Sequence, residues 1–557
     1  MKKIKAQLKT QANRHGLRKW LPLIVLASAM MIIIIDTTVL NVSIHNMLID
    51  LDTTVQSIQW VISAYALTLA ALTITGGRLG DLFGRKRMFM LGAILFAIGS
   101  LITSLAPTIA WVIFGNAIVE GVGAALMMPA TAALLVNEYH GKDRTLAFAV
   151  WGGVAASAAA IGPILGGWLT TSFSWRWAFR INLVVVLLLL LGARFLHEAR
   201  ERAEKIELDG IGILLSSVGL VSIVYGLIES STYGWWIAKT QFALLGHSFT
   251  PWGLSIAPIA ITLGVILLGI FALFEHRHEQ NGHTPLVSLG LFKNEQFTIG
   301  SLTTALQALG MAGLIFSTPI FYQSILGLDA FHTGLGLLPM SLAVMFGAPF
   351  SIKLIKRFTP KQIIQMGFTL NILGSILLYR AFSIDATVWS FAPGLVLFGV
   401  GMGFGFSQLS NMALSAVSSE QSGEASGVNN TLRQVGQSFG SAIIGAALIA
   451  TITSSVVHNV EASPALPTAA KPQIVQQVKD AGSNIEFASS HTDSSVPLQI
   501  QSAVSNAIKQ ATVDGNKTAM ALTGVFSVVT LLFSFLLPNI RNLETGKAAV
   551  DKTPAAH

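Results

Sequence analysis

The segment GRLGDLFGRKRM, residues 77–88, separates two long apolar stretches near the start of the chain. Its glycines predict a close backbone approach and a tight turn, because glycine carries no Cβ atom. Its acidic residue can pair with a basic side chain or with a helix N-terminus. We therefore expect a short loop between two helices that latches the two halves of the molecule together, although a charged run can also be a merely solvated loop. The predicted latch residues are Gly77, Asp81, Gly84, Arg85 and Arg87.

The composition on both sides of this segment is that of a membrane protein. The chain has 557 residues, of which 52% are hydrophobic and 11% charged, and its mean hydropathy is +0.64. Soluble globular proteins carry about a quarter charged residues, so an ordinary soluble enzyme is excluded. Cysteine is absent, which excludes disulfides, thiolate metal sites and cysteine nucleophiles.

About fourteen segments are apolar over the roughly 20 residues that a helix needs to cross a bilayer. Helices satisfy their own backbone hydrogen bonds, so the predicted fold class is an all-α polytopic membrane protein with 14 transmembrane helices. The predicted helices start near Trp20, Ile58, Met88, Ile109, Leu146, Ala178, Gly210, Gly253, Phe297, Thr333, Ile363, Trp389, Val428 and Thr518.

Basic residues fall on one side of the predicted membrane. Lysines and arginines crowd the first 19 residues and follow predicted helices 2, 4, 6, 8 and 10, whereas the alternate short loops carry few cations. Positively charged loops stay in the cytoplasm, so both termini are expected there. The net charge of +8 then indicates contact with anionic membrane lipids, and no nucleic-acid partner is expected.

A polar stretch between predicted helices 13 and 14 is predicted to be an external loop over residues 454–517. Ile500, Val504 and Ile508 recur at helical spacing, and a second helix is predicted near residues 473–480. Residues 482–495 look irregular. The stretch is either a small helical hairpin on the outer face or a flexible linker.

The motifs of energy-driven and catalytic chemistry are missing from the sequence. It contains no GxxxxGK[ST] loop to cradle ATP phosphates and no histidine spacing suited to a metal. We expect no enzymatic activity, no metal and no cofactor. Movement of a solute across the membrane, powered by an ion gradient, is the function that remains.

Three charged residues stand inside the apolar segments: Asp36, Glu120 and Arg433. Charges at bilayer depth cost about 3 kcal/mol or more, so each faces protein or water and merits a functional hypothesis. Asp36 and Glu120 are the candidate proton-coupling residues, because burial favours a carboxyl that takes up and releases a proton. Glu120 can instead attract a cationic substrate or stay neutral against a neighbouring helix, and Arg433 can instead extend to the interface. The predicted substrate-cavity residues are Asn41, Ser43, Asn116, Gln408, Asn411, Arg433 and Gln437.

Three motifs together resemble a known family. Residues 77–88 resemble the loop 2–3 signature of the major facilitator superfamily, and Asp36-Thr-Thr-Val-Leu-Asn41 is similar to the helix 1 signature of drug:proton antiporters. Gly162-Pro-Ile-Leu-Gly-Gly167 resembles the helix 5 antiporter motif, whose predicted residues are Gly162, Pro163, Gly166 and Gly167. The chain as a whole resembles the fourteen-helix drug:proton antiporters of the QacA/EmrB type.

This resemblance implies a major facilitator fold with two six-helix bundles, helices 1–6 and 9–14, and two inserted helices between them. The implied domains are a basic cytoplasmic tail (1–19), an N-terminal bundle (20–200), the inserted helices (201–276), a C-terminal bundle (277–538) and a cytoplasmic tail (539–557).

One position departs from the family pattern. Family members usually have Arg four residues before the helix 4 glycine and Gln where this chain has Glu120; here the Arg position holds Ala117. Without a guanidinium nearby, Asp36 loses a charge that would favour its ionised form. Either Asp36 takes up protons more readily than in relatives, or Glu120 has taken over part of the coupling.

The predicted function is proton-coupled multidrug efflux by alternating access, with lipophilic, cationic compounds as substrates. A monomer in a bacterial cell membrane, contributing to antibiotic resistance, is expected. Two alternatives stay open: an exporter of a lipid or lipoconjugate with the same fold, and a non-transporting membrane receptor or scaffold.

Overall fold

The computed structural model describes residues 19–139, 141–198, 209–239, 242–244, 247–248, 250, 253–281, 283, 285–417, 422–464, 466–468, 471–481 and 498–539. Residues 1–18 of the predicted basic tail, residues 540–557 and the predicted irregular stretch 482–495 therefore lie outside the described residues.

The prediction of fourteen apolar helices is confirmed. Within the described ranges, twelve helices are long and apolar enough to cross a membrane, and two bent helices bring the total to fourteen. They are α1 Leu21–Val42, α2 Val55–Phe83, α3 Arg85–Ser104, α4 Ile109–Glu138, α5 Gly141–Ser172, α6 Trp175–Gly192, α7 Gly210–Tyr233, α8 Ile256–Gln280, α9 Glu295–Ser324, α10 Ala330–Gly336 with Leu338–Leu354, α11 Pro360–Ala381, α12 Val388–Ser415, α13 Ser422–Ala462 and α14 Leu498–Ser534. A two-stranded hairpin, Ala243–Leu244 with His247–Ser248, lies between α7 and α8.

Local signals set the ends of α2. The Thr54 side chain accepts a hydrogen bond from the Ser57 backbone N–H, which satisfies one free donor at the start of the helix. Gly84 ends it with φ of +107°, a conformation that side chains with a Cβ rarely adopt. The chain then turns directly into α3, as the glycine of the loop motif predicts.

The helices pack in two groups. In the first, α1 packs on α4, α5 and α6, and α3 packs on α4 and α6. In the second, α9 packs on α12, α13 and α14, and α11 packs on α12 and α14. We call these the N-bundle (α1–α6) and the C-bundle (α9–α14). They meet along two seams, α2 against α13 and α5 against α10.

Hydrogen bonds join the bundles at the end of the molecule where α1 stops. Gln59 Nε2 donates to the Ser441 carbonyl at 2.8 Å, and the Ser63 and Ser441 hydroxyls are 2.7 Å apart. Gln323 Nε2 donates to the Val42 carbonyl at 2.9 Å. The two bundles are therefore closed against each other at this end.

The inserted helices α7 and α8 pack on each other and lie outside one of the seams. Leu220 and Val224 of α7 belong to one apolar cluster with Leu67 of α2 and Ala442 of α13. The Trp60 indole N–H donates to Glu229 Oε1 at 2.9 Å and fastens α7 to the N-bundle. Helix α7 therefore covers the α2–α13 seam.

Helices extend into the predicted external loop 454–517. Helix α13 continues to Ala462, and α14 already begins at Leu498. Both extensions carry apolar residues at helical spacing, and Val456 and Ile508 are buried in the same cluster. A further helix spans Lys471–Ala481, over the predicted second helix. The helical spacing of Ile500, Val504 and Ile508 predicts the apolar stripe on α14, whereas the polar composition conceals the one on α13.

Candidate functional site

Two carboxyl groups lie in the centre of the N-bundle. Asp36 of α1 is 3% exposed and Glu120 of α4 is fully buried. Glu120 ends a π-helical stretch, Ile113–Glu120, in which the backbone pairs five residues apart. Such widened turns are rare and are frequent at functional sites, because they redirect side chains that a regular helix would place elsewhere.

Two asparagines bridge these carboxyl groups. Asn116 Nδ2 donates to Asp36 Oδ2 at 3.1 Å and to Glu120 Oε2 at 3.2 Å. Asn182 Nδ2, from α6, donates to Asp36 Oδ1 at 3.1 Å and to Glu120 Oε1 at 3.2 Å. Ser100 Oγ of α3 donates to Glu120 Oε1 at 2.6 Å. We call Asp36 and Glu120 the acid pair. Asn116, Asn182 and Ser100 are its bridging residues.

In the described part of the chain, no salt bridge brings a cation to Asp36 or Glu120. Both carboxyl groups accept hydrogen bonds from the same two asparagine amides, which holds them close together. Two like charges so close in a buried place repel strongly, so the arrangement suits a pair that holds at least one proton.

The structure brings Asn116 alone, among the predicted cavity residues, to the acid pair. Ser43 lies near the end of α1, where its hydroxyl is 2.8 Å from that of Thr170, and Asn41 Nδ2 donates to the Thr37 carbonyl. The remaining ones are in the C-bundle: Gln408 is buried and donates to Ser351 Oγ at 2.9 Å, Asn411 is exposed, and Arg433 and Gln437 are half-buried on α13.

Asn182 and Ser100 were not assigned to the site from the sequence. Asn182 is a polar residue among the apolar residues of α6, and this contrast is the feature of the sequence that points to it. Tyr65 of α2, 3% exposed, also lies beside the acid pair. Four helices besides α1 thus contribute to the site, and their convergence depends on packing that spacing along the chain does not reveal.

The loop motif adopts its turn but does not join the bundles through its acid. Asp81 pairs with Arg85 at 3.0 Å, inside the N-bundle, and the latch role of Asp81 between the halves stays a prediction. Arg78 instead reaches across, donating to the Leu286 carbonyl at 3.3 Å, before α9. The Lys86 backbone N–H donates to Glu198 Oε1 at 3.1 Å, which caps α3. Arg87 is exposed.

The close approach predicted at Gly77 occurs one residue earlier. A Cβ atom on Gly76 would collide with the backbone of Ala125 in α4, whereas one on Gly77 would lie 3.7 Å from Pro129 Cβ. The first is closer than real Cβ contacts and the second is ordinary. Gly76 therefore makes the α2–α4 crossing possible.

The glycines of the helix 5 motif allow α5 to pack closely against α1 on one side and against α10 on the other. Gly162 and Gly166 leave room for Thr38 and Val39 of α1, and Gly167 lies against the backbone of Ala330 in α10. The two arms of α5, Val150–Ala159 and Ile161–Ser172, meet at 44° near Pro163. Proline removes a helical hydrogen bond, which accounts for the bend.

The fold and site define a membrane transporter: fourteen helices in two bundles, with a buried titratable pair and two interfaces between the bundles. The sequence profile of the Major Facilitator Superfamily matches residues 26–441. The chain belongs to this superfamily, and it is a transporter, not an enzyme.

Several characterised proteins are similar over most of their length. The chain is 32% identical to the multidrug efflux pump LfrA of Mycolicibacterium smegmatis, over 80% of this chain and 84% of that one. It is 31% identical to the puromycin resistance protein pur8 of Streptomyces alboniger, over 77% and 81%. It is 27% identical to the tetracenomycin C resistance and export protein of Streptomyces glaucescens, over 92% and 90%.

Solved structures agree on the fold. A bacterial homolog of the human lysosomal transporter Spinster, crystallised in an inward-facing and unoccupied conformation, matches with a TM-score of 0.59. That match has 16% sequence identity and covers 94% of this chain and 98% of the other. At that identity the likeness concerns the architecture alone.

Proposed function

We propose that this protein is a proton-coupled efflux transporter that exports lipophilic, cationic compounds from a bacterial cell. The observation that carries the proposal is the buried acid pair, Asp36 with Glu120, which two asparagines bridge and no cation in the described residues neutralises. Relatives named for multidrug efflux and antibiotic export support the outward direction of transport.

The acid pair suits exchange of a proton for a cation. When the pair holds one proton it carries one negative charge, and when it releases that proton it carries two negative charges in an apolar interior. A lipophilic cation gains most from the second state, because an unpaired buried charge is costly. A site that favours either proton or substrate couples the two gradients, since each ligand lowers the affinity for the other.

Alternating access supplies the movement in this proposal. The bundles hold together at the end where α1 stops, through Gln59, Ser441 and Gln323. Loss of these contacts, with the bundles rocking about the midplane, would open that end to the exterior. The positive-inside rule predicts that both termini are in the cytoplasm. Protonation from outside would then release the substrate, and the protein would work as a monomer among membrane lipids.

Transport by purified protein in liposomes tests the proposal. A panel of lipophilic cations is added to proteoliposomes containing a pH-sensitive dye, and proton movement is followed. Cations that are substrates should each drive a proton flux opposite to their own movement. Neutral analogues of the same shape serve as the control and should drive less. Proteoliposomes in which no cation moves protons would contradict the proposal.

Glu120→Gln is expected to shift the pH profile of efflux to lower pH by about one unit, the shift typical of removing one like charge. The glutamine keeps the size of Glu120 and one acceptor oxygen, which suffices for Ser100 and Asn182, but its NH₂ group cannot accept from Asn116. It also removes a negative charge, so Asp36 gives up its proton more readily. Initial efflux rates over a pH series, compared with wild type, measure the shift. An unchanged profile would exclude Glu120 from the coupling.

A further inference from the structure

Two further acids are buried where α7 begins and α8 nears its end, apart from the acid pair in the N-bundle. Asp209, directly before α7, is 4% exposed, and Glu275 of α8 is fully buried. A Cβ atom on Gly212 would collide with Asp209 Oδ2 and with Glu275 Oε1, so these two oxygen atoms flank the same small space. The glycine therefore lets the two carboxyl groups approach each other. We call Asp209 and Glu275 the second acid pair.

The two carboxyl groups of the second acid pair differ in their hydrogen bonds. Asp209 Oδ1 accepts from the Gly212 backbone N–H at 2.8 Å and caps α7, and a helix N-terminus favours an ionised carboxylate. In the described part of the chain, no donor of normal hydrogen-bond geometry reaches Asp209 Oδ2 or either oxygen of Glu275. Two ionised acids would leave these buried acceptors without a donor, which is costly. A proton on Glu275 removes one charge and supplies the donor that Asp209 Oδ2 lacks.

No salt bridge in the described residues brings a cation to the second acid pair. Helix α8 packs closely on α7 alone among the described helices, and the charged residue at that end of α7 is Asp209. The segment 285–288, which leads towards α9, contains no charged residue. The other charged or titratable groups near Glu275 in the chain or across that segment are His276, Arg277, His278 and Glu279 of α8 and Arg78 of α2. A proton is therefore the ligand that suits this pair.

The segment 285–288 joins the two bundles at the end of the molecule that is predicted to be cytoplasmic. Arg78 of α2 donates to the Leu286 carbonyl at 3.3 Å. Val287 packs against an apolar cluster that includes Val428 of α13. The backbone of Leu286 and Val287 also lies beside the second acid pair. The second acid pair thus supports a contact between the bundles at the end opposite to the one where α1 stops.

We propose that Asp209 and Glu275 form a second proton-binding site, whose proton holds the segment 285–288 in place and whose release to the cytoplasm loosens it. With the proton bound, Glu275 donates to Asp209 Oδ2, and the pair carries one negative charge. Without the proton, two buried negative charges repel each other, and their separation displaces the segment. The stabilisation is present at low pH and is lost as the pH rises. This proton is not exchanged for substrate, so the site adds to the proposed function a response of the cytoplasmic end to cytoplasmic pH.

An infrared titration tests for the proton directly. The double variant Asp36→Asn with Glu120→Gln is the starting protein, so the first acid pair contributes no carboxyl signal and the result does not depend on the proposed function. The C=O band of protonated carboxyl groups at neutral pH should fall by about one group per chain when Glu275→Gln is added, since two close acids share one proton. Adding Asp209→Asn should lower it too, because the amide removes the like charge and donates to Glu275. Adding Glu295→Gln, at an exposed acid in the first turn of α9, is the matched control and should leave the band unchanged. A band that neither Glu275→Gln nor Asp209→Asn lowers would overturn the proposal.

Hydrogen exchange tests the loosening. In wild type, the protection of the backbone amides of residues 285–288, corrected for the intrinsic exchange rate at each pH, should fall about tenfold as the pH rises, within the range that an unsatisfied buried group costs. In Glu275→Gln the protection should persist at high pH, because the glutamine amide donates to Asp209 Oδ2 as the protonated acid does. Glu295→Gln should follow wild type. Protection that does not change with pH in wild type, or that falls equally in Glu275→Gln, would contradict the proposed switch.

Discussion

Asp36→Asn is expected to reduce proton-driven efflux by about 5- to 150-fold, the range that coupling free energies span. Asparagine has the size of aspartate and keeps one acceptor oxygen, so it can still accept from Asn116 or from Asn182, but it neither binds nor releases a proton. The variant should therefore fold and bind the cation weakly, while losing the exchange. Efflux of a fluorescent lipophilic cation from everted membrane vesicles with an imposed pH gradient measures the effect.

The matched control is Asp143→Asn. Asp143 is also on a helix of the N-bundle, but its carboxylate is 42% exposed and pairs with Lys19 at 2.7 Å. Exposed pairs of this kind contribute about 0–1 kcal/mol, so this variant should transport at the wild-type rate. Full efflux by Asp36→Asn, with a pH dependence like that of wild type, would remove Asp36 from the mechanism.

Gly76→Ala is expected to destabilise the protein by about 1–3 kcal/mol, the usual cost of overpacking a tight contact. The added methyl group would meet the backbone of Ala125, which cannot turn aside as a flexible side chain can. Helices α2 and α4 would have to separate, and α4 carries Asn116 and Glu120. Samples of the purified protein in detergent are heated to a series of temperatures and analysed by size-exclusion chromatography. The apparent melting temperature obtained in this way measures the loss of stability.

Gly77→Ala is the control for this prediction. Its methyl group would make an ordinary contact with Pro129, and alanine is favoured over glycine within a helix by about 1 kcal/mol. This variant should match or exceed wild-type stability. Equal losses at the two neighbouring positions would show that the α2–α4 crossing is not as close as described.

The helices were predictable because membrane insertion is a local property. A stretch of some 20 apolar residues must form a helix wherever it lies, since lipid offers no other partner for its backbone. The turn at Gly84 was predictable for a similar reason, because a short loop between two such helices favours a glycine with positive φ. These features can be predicted without information on which helices are neighbours.

The site was only partly predictable because it depends on neighbours. Asp36 and Glu120 are conspicuous as acids in apolar helices, but Asn182 reaches them only after α6 packs against α1, and Ser100 only after α3 packs against α4. Which of Gly76 and Gly77 lies in the close contact depends on how α2 is rotated about its axis against α4, and the sequence does not show this rotation. Gln408 illustrates the opposite error, since it is polar in an apolar helix yet bonds within its own bundle.

The missing arginine of α4 takes on a physical meaning in this setting. Ala117 is fully buried, and no guanidinium stands at its position. In its place the second acid, Glu120, approaches Asp36, and the asparagines bridge the two. One proton removes half of the charge of a pair of carboxylates, whereas an acid and an arginine would neutralise each other without a proton. In the proposed mechanism, proton binding is therefore a condition for burying this site.

Proton release on substrate binding is the most direct test of that claim. The purified protein in weakly buffered detergent is titrated with a lipophilic cation while a pH-indicator dye reports released protons. Wild type should release about one proton per cation bound, because the pair titrates as a unit. The double variant Asp36→Asn with Glu120→Gln should release none. Cation binding by wild type without proton release, or equal release by the double variant, would contradict the account.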